Sequence, residues 1–481
     1  MKNKIRKGII YNNKFIYLKY IILLLSFIFI FFFIKNYKAN NYILYKSLNR
    51  ENLKTFSFQR VNQFNKNINN KLNYNLTFFS ENNEDSFRVE KLQKMGLSRF
   101  KKLDIYNLYI LPYIMGDELK SKISKYIKNK YQKINMFFNY KDYCSKSLLY
   151  FNYEKMKEIF PFEYNYMLET YSYPENKEII IKKFSNYSYI NSSKDNFWLL
   201  KPKFSLAGKG IIILKNISNI NENYLITKYL NNPHLIKGVK YDLRYHGLIT
   251  SIKPLKLYLY NEGLTRLATE KYNYYNHTNI YSFLTNLHIN MYNKKKFIYP
   301  KNITNIEDSH LWNLETLKNY FLKNGINYDK IYEEVKDIFI KMIFSVRKKI
   351  IKNIKEYKLA NSNFYHLIGF DIILDENLKP YLLEANRKAG FRDDNDAEKN
   401  FTHNLIIDTI NLVGLKNIQK NNIRKYTNIK EIIEDNICEL NRPRGGYNLI
   451  FPLKNNIEKY KSFYLNDIPK EDLKLWKYLK E

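Results

Sequence analysis

Three oxygen-bearing side chains fall on two apolar runs that are joined by residues 375–379. A hairpin between these runs places Asp371 directly opposite Glu384, and Asn386 opposite Gly369, which leaves room for a ligand. Two carboxylates on one apolar sheet face repel each other unless a cation lies between them. Hard oxygen ligands of this kind suit Mg²⁺ that bridges nucleotide phosphates. The alternative is a buried polar cluster that is satisfied by its own hydrogen bonds.

A second set of charged residues follows the alternation of a β-strand. Lys240, Asp242 and Arg244 occupy alternate positions and therefore share one face of the predicted strand, while the residues between them face a core. A hairpin predicted over residues 255–269 adds Arg266 as a second candidate for contact with anions. A solvated strand face is the alternative interpretation.

Two shorter signals are typical of nucleotide binding. Lys201 precedes a loop that carries Gly208 and Gly210, and the N–H groups of such a loop can surround phosphate oxygens. The loop is not a Walker A sequence, and a plain glycine-containing hairpin is the alternative. The strand at residues 224–230 then runs into a proline-terminated loop, where the backbone of residues 228–230 could bind an adenine edge; an ordinary strand end would have the same pattern.

The elements that must position these residues lie in the middle of the chain. Strand-like runs alternate with Gly, Pro and Asn over residues 198–386, and one long helix is predicted over residues 328–357. Residues 39–99 are rich in Asn, Lys and Glu with only short apolar clusters, which favours a loosely ordered linker. No internal repeat is present.

Composition limits the classes of partner. The 481 residues contain 80 Lys+Arg against 46 Asp+Glu, a formal net charge of +34, which favours acidic partners. No RRM, KH or helix-turn-helix pattern accompanies this charge, so we expect no nucleic-acid partner. Only two cysteines, Cys144 and Cys438, are present, which excludes a disulfide framework and a cysteine-based zinc site.

The N-terminal region predicts a membrane segment. Residues 20–34 are uncharged and apolar, and six basic residues precede them. No small-residue cleavage pattern follows, so we expect an uncleaved anchor rather than a signal peptide, with a buried core helix as the alternative. Basic residues lie on both sides of the segment, so the positive-inside rule only weakly places the N-terminus in the cytoplasm.

In this order, the motifs resemble an ATP-grasp layout and, more narrowly, the tubulin–tyrosine ligase-like family. The resemblance runs from residue 132 to about residue 411. It is carried by KPKFSLAGKGI (201–211), TKYLNNPHLIKGVKYDLR (227–244), LYLYNEGLTRLAT (257–269), LTNLHIN (284–290) and GFDIILDENLKPYLLEAN (369–386).

The resemblance implies an α+β ATP-grasp fold, with two α/β lobes and the nucleotide between antiparallel sheets. It also implies an ATP- and Mg²⁺-dependent ligase that joins an amino acid to a protein carboxylate through an acyl-phosphate, which we expect to be tubulin polyglutamylation with free glutamate. The expected segments are a basic tail at 1–19, the membrane segment at 20–34, a linker at 35–100, an N-terminal lobe at 101–195, the catalytic domain at 196–415 and a basic C-terminal extension at 416–481.

The family template also implies a role for individual residues. ATP would contact Lys146, Lys201, Gly208, Gly210, Thr227, Lys228, Tyr229, Leu230 and Lys240. Arg244 and Arg266 would neutralise the acyl-phosphate and the incoming carboxylates, with Asp242 nearby and Asn286 positioning substrate or phosphate. Asp371, Glu384 and Asn386 would hold Mg²⁺.

Three departures from the family pattern keep alternatives open. Thr227 stands where the family usually has Gln, Phe283 where it has His, and residues 387–390 read Arg-Lys-Ala-Gly in place of a small-residue and proline stretch. A tyrosine or glycine ligase, or a weakly catalytic membrane-tethered scaffold that binds microtubules, therefore remains an alternative. The expected location is a membrane-anchored, microtubule-associated enzyme whose catalytic region faces the cytoplasm.

Overall fold

A computed structural model describes residue 58 and residues 76–481 of the chain. Within that span the description omits residues 82–85, 113–115, 185–196, 204–209, 215–223, 275–278, 301–306, 391–395, 417 and 419–427. The predicted membrane segment at residues 20–34, like the tail at 1–19, lies outside the described residues. Among the described helices, none has the length and apolar character needed to cross a membrane.

Sixteen strands and thirteen α-helices make up the described part of the chain. The strands are β1 Thr77–Phe79, β2 Ser98–Phe100, β3 Leu108–Tyr109, β4 Lys133–Ile134, β5 Thr170–Ser172, β6 Trp198–Pro202, β7 Ile212–Ile213, β8 Tyr224–Lys228, β9 Leu235–Ile236, β10 Val239–Ile252, β11 Leu255–Tyr260, β12 Leu264–Lys271, β13 Leu311–Asn313, β14 His366–Leu374, β15 Pro380–Asn386 and β16 Tyr447–Phe451. The helices are α1 Ser86–Lys94, α2 Asp117–Tyr126, α3 Lys141–Cys144, α4 Lys146–Ile159, α5 Lys177–Phe184, α6 Ile280–Phe283, α7 Leu287–Asn290, α8 Leu314–Lys323, α9 Tyr328–Glu356, α10 Asp396–Val413, α11 Ile429–Leu440, α12 Ile457–Tyr460 and α13 Lys470–Lys480. The mixture of sheets and helices is the expected α+β class.

The 14-residue strand β10 organises the largest sheet, which has eight strands. Its N-terminal half pairs with β12, its C-terminal half pairs with β11, and β14 runs antiparallel along its other edge. Strand β15 then pairs with β14, and Asp371 lies opposite Glu384 while Gly369 lies opposite Asn386. The predicted register of this hairpin is therefore confirmed as far as Asp371, beyond which a bulge shifts it.

The predicted hairpin over residues 255–269 is wrong. Strands β11 and β12 do not pair with each other, because β10 lies between them in the sheet. The tight turn is instead at residues 253–254, where β10 reverses into β11, and β12 returns to the other half of β10. Apolar strands on both sides of a glycine-containing loop resemble a hairpin locally, whereas the choice of partner depends on the whole sheet. The pairing places Arg266 directly opposite Asp242.

Both faces of this sheet are covered by helices. The long helix α9 packs on one face, where Phe339 stacks on Phe370 with ring centroids 5.1 Å apart. Its observed span confirms the helix predicted over residues 328–357. The close approach requires Gly247 in β10, because a Cβ there would meet the Phe339 ring at 2.4 Å. Helix α10 belongs to the apolar cluster on the opposite face.

The segments before residue 101 and after residue 415 contain more secondary structure than the sequence predicts. Within the predicted linker, β1 and β2 join a four-stranded parallel sheet, and Phe78, Val89 and Leu92 are buried. The predicted C-terminal extension contributes β16 to the edge of the large sheet and buries Trp476. These elements are hard to recognise in the sequence, because each contains only a few apolar residues and the residues around them are rich in Asn and Lys.

A separate four-stranded antiparallel sheet faces the large one across a cleft. Its strand order is β5-β8-β6-β7, and β8 pairs with β5 on one side and β6 on the other. Helix α5 packs on it through Ile180 and Phe184, which contact Trp198 in a small apolar core. This smaller lobe carries the predicted phosphate and hinge segments.

Candidate active site

The cleft between the two antiparallel sheets brings most of the predicted site residues together. It encloses about 1190 Å³ of space, part of it open to solvent. The predicted residues that line it are Lys146, Lys201, Thr227, Lys228, Tyr229, Leu230, Lys240, Asp242, Arg266, Asn286, Asp371 and Glu384. Arg244, Asn386 and Gly210 are not lining residues, and Gly208 lies outside the described part of the chain.

The β14–β15 hairpin presents two of the three predicted metal ligands, Asp371 and Glu384, to the cleft. Asp371 and Glu384 face each other across the two strands, as the alternation of each strand requires. Asn386 lies two residues beyond Glu384, and its amide donates a hydrogen bond of 3.0 Å to Glu384 Oε1. Gly369 faces Asn386, and a Cβ there would meet the Ala389 backbone oxygen at 3.0 Å and the Arg244 side chain at 3.1 Å.

The two arginines hold the two aspartates of the site in one buried network. Arg244 pairs with both carboxylate oxygens of Asp371, through Nε to Oδ1 and through Nη2 to Oδ2 at 3.0 Å. Arg266 Nη2 also reaches Asp371 Oδ2 at 2.8 Å, while its Nε contacts Asp242 Oδ1 at 2.5 Å. Thr285 completes the network, because its hydroxyl donates to Asp242 Oδ2.

The same network separates the pKa values of the two aspartates. Burial disfavours the charged form of Asp371, but the positive charges of Arg244 and Arg266 outweigh this effect and lower its pKa. Burial raises the pKa of Asp242, and the nearby Asp371 adds to this, although Arg266 opposes both. Asp371 is therefore the more firmly ionised of the pair, as a metal ligand must be.

Lys240 is a buried cation that extends from β10 towards three aromatic rings. Its Nζ lies 4.0 Å from the ring centroid of Tyr229, 5.7 Å from that of Phe283 and 6.0 Å from that of Tyr272. It donates to the Tyr229 hydroxyl at 2.6 Å and to the Phe283 carbonyl at 3.1 Å. Burial lowers the pKa of Lys240 to about 7, with Asp242 opposing the shift and Lys201 adding to it. Both hydrogen-bond acceptors are neutral and do not balance the positive charge of the ammonium group, so a bound anion would balance it.

A second lysine stands at the opposite wall of the cleft. Lys201, on β6, has its pKa lowered to about 8 by burial and by the charge of Lys146, with Glu384 acting against the shift. Lys146 is the first residue of α4 and also lines the cleft. Three ammonium groups thus surround one end of the cleft, an arrangement suited to phosphate oxygens.

The hinge strand β8 forms a further wall of the same cleft. The Lys228 and Tyr229 N–H groups donate to the carbonyls of Glu169 and Phe197, both at 2.8 Å, so neither faces a ligand. The Thr227 hydroxyl meets that of Thr170 at 3.2 Å, and both side chains are buried. The sequence predicts that the backbone of residues 228–230 binds an adenine edge. The N–H groups of Lys228 and Tyr229 do not fit this role, because each already donates to a carbonyl of the protein.

Three further placements bear on the sequence-derived roles. Asn286 caps the short helix α7, and its side chain accepts from His288 N at 2.9 Å. In the segment that departs from the family pattern, Arg387 Nη1 donates to the Pro112 carbonyl at 2.7 Å. Gly390 adopts φ +79°, and a Cβ there would meet Arg244 Nη1 at 2.5 Å, so this segment supports Arg244.

The sequence did not single out Thr285, Thr170 or Tyr272. Thr285 directly precedes Asn286 in the LTN motif, so the motif itself was a usable signal. Thr170 and Tyr272 carry no local signal. The pairing of β5 with β8 brings Thr170 to the cleft, and the chain that follows β12 brings the Tyr272 ring to 6.0 Å from Lys240 Nζ.

The donor set of the hairpin fits Mg²⁺. Among the described residues, no group of three or more His, Cys, Asp and Glu side chains could hold a metal ion. Mg²⁺ is usually held by only one or two carboxylates, with phosphate and water oxygens completing its octahedron. Asp371 and Glu384 supply such a pair on the wall of a cleft that four lysines also line.

Comparison with known proteins decides the family. The sequence model of the tubulin-tyrosine ligase family matches residues 124–422, which is more than half of the chain. The chain belongs to the tubulin-tyrosine ligase family. Every residue assigned above to the cleft lies within the matched range.

Named relatives within this tubulin-tyrosine ligase family act on tubulin. The chain is 30% identical over 357 residues to a probable β-tubulin polyglutamylase of Tetrahymena thermophila, which covers 68% of this chain and 30% of that protein. It is 28% identical over 402 residues to the mouse tubulin polyglutamylase TTLL6, covering 77% and 47%. It is 32% identical over 305 residues to the mouse tubulin monoglutamylase TTLL4, covering 62% and 25%. The chain thus spans less than half the length of these relatives.

Proposed function

We propose that this chain is an ATP-dependent ligase that adds glutamate to the acidic tails of tubulin, that is, a tubulin polyglutamylase. The observation that carries the proposal is the cleft itself, in which an opposed carboxylate pair and four lysines line one space. Oxygen ligands for a cation and ammonium groups for an anion are both required to bind a magnesium nucleotide. The polyglutamylase and monoglutamylase names of the relatives support the choice of tubulin and glutamate.

In the proposed reaction, the nucleotide lies between the two sheets, as in an ATP-grasp fold. Lys146, Lys201, Lys240 and the loop that carries Gly208 and Gly210 hold its phosphates, and residues 227–230 line the adenine pocket. Asp371, Glu384 and Asn386 hold Mg²⁺, which when bound neutralises phosphate charge. These residues position the γ-phosphate for attack without forming a covalent bond to it.

The two chemical steps then require cations on the acceptor side. A side-chain carboxylate oxygen of the acceptor attacks the γ-phosphorus, giving an acyl-phosphate and ADP. The amino group of glutamate attacks the acyl carbon, phosphate leaves, and the amine loses a proton. Arg244 and Arg266 neutralise the charged acceptor and the acyl-phosphate, with Asp242 orienting Arg266 and Asn286 positioning substrate.

Charge supports an acidic acceptor. A net charge of +34 attracts glutamate-rich tails, and the range of this attraction decreases as the salt concentration rises. Residues 20–34 would hold the enzyme at a membrane with its catalytic region on the cytoplasmic side, where ATP and tubulin are available. This location and the six-segment organisation remain part of the proposal.

Ligation with the full chain tests the proposal. The reactions contain ATP, Mg²⁺, polymerised tubulin and labelled glutamate, glycine or tyrosine in parallel. We expect transfer of glutamate, loss of transfer in Glu384→Gln, and retention in Glu376→Gln, which removes an exposed carboxylate from the turn of the same hairpin. Transfer of glycine or tyrosine instead of glutamate would show that the ligase adds a different amino acid from the one proposed. Transfer of none of them, or transfer that survives Glu384→Gln, would refute the ligase.

A further inference from the structure

Asp371 is committed to two arginines in the described structure. Both of its carboxylate oxygens accept from Arg244, and Oδ2 also accepts from Arg266 at 2.8 Å. The carboxylate is almost completely buried, with 4% of its side chain exposed. Its opposite neighbour differs, because Glu384 Oε1 accepts from the neutral amide of Asn386.

The network is electrically balanced as it stands. Arg244 and Arg266 carry two positive charges, and Asp242 and Asp371 carry two negative charges when ionised. The side chains of Arg244 and Arg266 are 12% and 10% exposed, so water screens their contacts only weakly. In this arrangement both arginines are neutralised by the protein and are poor sites for a further anion.

Metal ligation by Asp371 weakens this network. Its two oxygens offer about four lone-pair sites, and three of them accept from Arg244 Nε, Arg244 Nη2 and Arg266 Nη2. A divalent cation on the remaining site repels both guanidinium groups. Ligation therefore favours release of a guanidinium from Asp371. A released guanidinium in a weakly screened cleft attracts a carboxylate.

We propose that Asp371 is a positioning residue that holds Arg244 and Arg266 until it ligates the magnesium of the nucleotide, so that the acidic acceptor binds after the nucleotide. The inference rests on the proposed function for the identity of the acceptor. It assigns Asp371 two roles in sequence, first as the partner of the arginines and then as a ligand. Glu384 has only the second role.

The difference between the two carboxylates gives a sharp test. Affinity for a fluorescent glutamate-rich peptide is measured by anisotropy with the full chain, without nucleotide. Asp371→Asn should raise this affinity about tenfold, because Arg244 loses its charged partner. Glu384→Gln is the matched control, since it removes a metal ligand and leaves both arginine pairs intact, and it should leave the affinity unchanged.

The unaltered chain provides a second test that needs no variant. Its affinity for the peptide should rise about tenfold when Mg²⁺ and a non-hydrolysable ATP analogue are added, and it should not rise with the analogue and EDTA. Asp371→Asn should show no such increase. This arm decides the inference if Asp371→Asn does not fold, which circular dichroism would report.

The outcomes separate the inference from the ligase itself. Gain of affinity in Asp371→Asn, or with Mg²⁺ and the analogue, supports the inference even if the ligation experiment transfers no amino acid. Ligation without either gain overturns the inference and leaves the ligase intact. Equal gains in Asp371→Asn and Glu384→Gln would also overturn it, because general loss of negative charge would then explain both. Absence of peptide binding in every state overturns it as well.

Discussion

Raising the pH should weaken nucleotide binding through Lys240. In the free protein, burial among Tyr229, Tyr272 and Phe283 lowers the pKa of this lysine to about 7, from an ordinary value of 10.5. A bound phosphate stabilises the ammonium form and returns the pKa towards its ordinary value. Binding is therefore coupled to uptake of a proton at any pH between the two values.

The sign and size follow from these two pKa values. Below pH 7 Lys240 is already charged, so affinity is highest there, and it declines as the pH rises through 7 towards the pKa of the complex. Between pH 7.5 and 9 the loss from Lys240 alone is about 20-fold. The nucleotide contributes little to this change, because its terminal phosphate, with a second pKa of about 6, is already ionised. Lys201, with a pKa lowered to about 8, acts in the same direction.

Stability of the free protein should change in the opposite direction. A pKa that is lower in the folded state means that the unfolded chain binds more protons between pH 7 and 10.5. The contribution of Lys240 to the free energy of unfolding therefore increases with pH over this range. Weaker binding with undiminished stability distinguishes this effect from partial unfolding at high pH.

Titration calorimetry in buffers of different ionisation enthalpy measures both affinity and proton uptake. Lys240→Met replaces the ammonium with an apolar side chain that suits the aromatic surroundings, and it should remove most of the pH dependence together with some affinity. Lys379→Met, in the distant turn of the β14–β15 hairpin, is the control and should retain the full dependence. Proton uptake that stays unchanged in Lys240→Met would refute the assignment to Lys240.

Three further results are expected. Gly247→Ala should lower the free energy of unfolding by about 1–3 kcal/mol in urea denaturation, because the new Cβ meets the Phe339 ring at 2.4 Å. Gly116→Ala is the control and should change the stability little, since a Cβ there has no atom within 4 Å. Equal losses in the two variants would contradict the packing argument. Thr285→Val should lower the free energy of unfolding by about 1–3 kcal/mol, since a buried oxygen of Asp242 loses its hydrogen-bond donor. Thr285→Ser keeps the hydroxyl and should retain most of this stability. If Thr285→Ser is as unstable as Thr285→Val, the methyl group rather than the hydrogen bond accounts for the loss. Tubulin binding should weaken steeply between about 0.05 and 0.5 M salt in a cosedimentation assay, and salt-independent binding would exclude electrostatic recruitment.

The site could be predicted where local rules fix geometry. Alternation along β10 places Lys240 and Asp242 on one face, and the structure puts both in the cleft. The hairpin of β14 and β15 places Asp371 opposite Glu384 as predicted, although a bulge between Asp371 and Ile372 shifts the pairs next to the turn by one residue. In both cases the relevant information lies within about fifteen residues of sequence.

The sequence failed where partners are distant. The partner of β11 is β10 rather than β12, although the loop between β11 and β12 resembles a turn. The strand at residues 77–79 pairs with β3 on one side and with the strand at residues 98–100 on the other, and the Asn- and Lys-rich surroundings gave no sign of this pairing. The contacts of Arg244 and Arg266 with Asp371 join three strands, and no single motif contains them.

The arginines and the lysines of the site differ in their pairing, and the proposed order of binding follows from this difference. Arg244 and Arg266 are paired with the carboxylates of Asp242 and Asp371. Lys240 instead donates to two neutral oxygens, and burial lowers its pKa to about 7. In the proposed reaction, a nucleotide would therefore be attracted first to the lysines, and its metal ion would then draw Asp371 away from the arginines. The net charge of +34 would attract both acidic partners, whereas the internal pairing would set the order in which they bind.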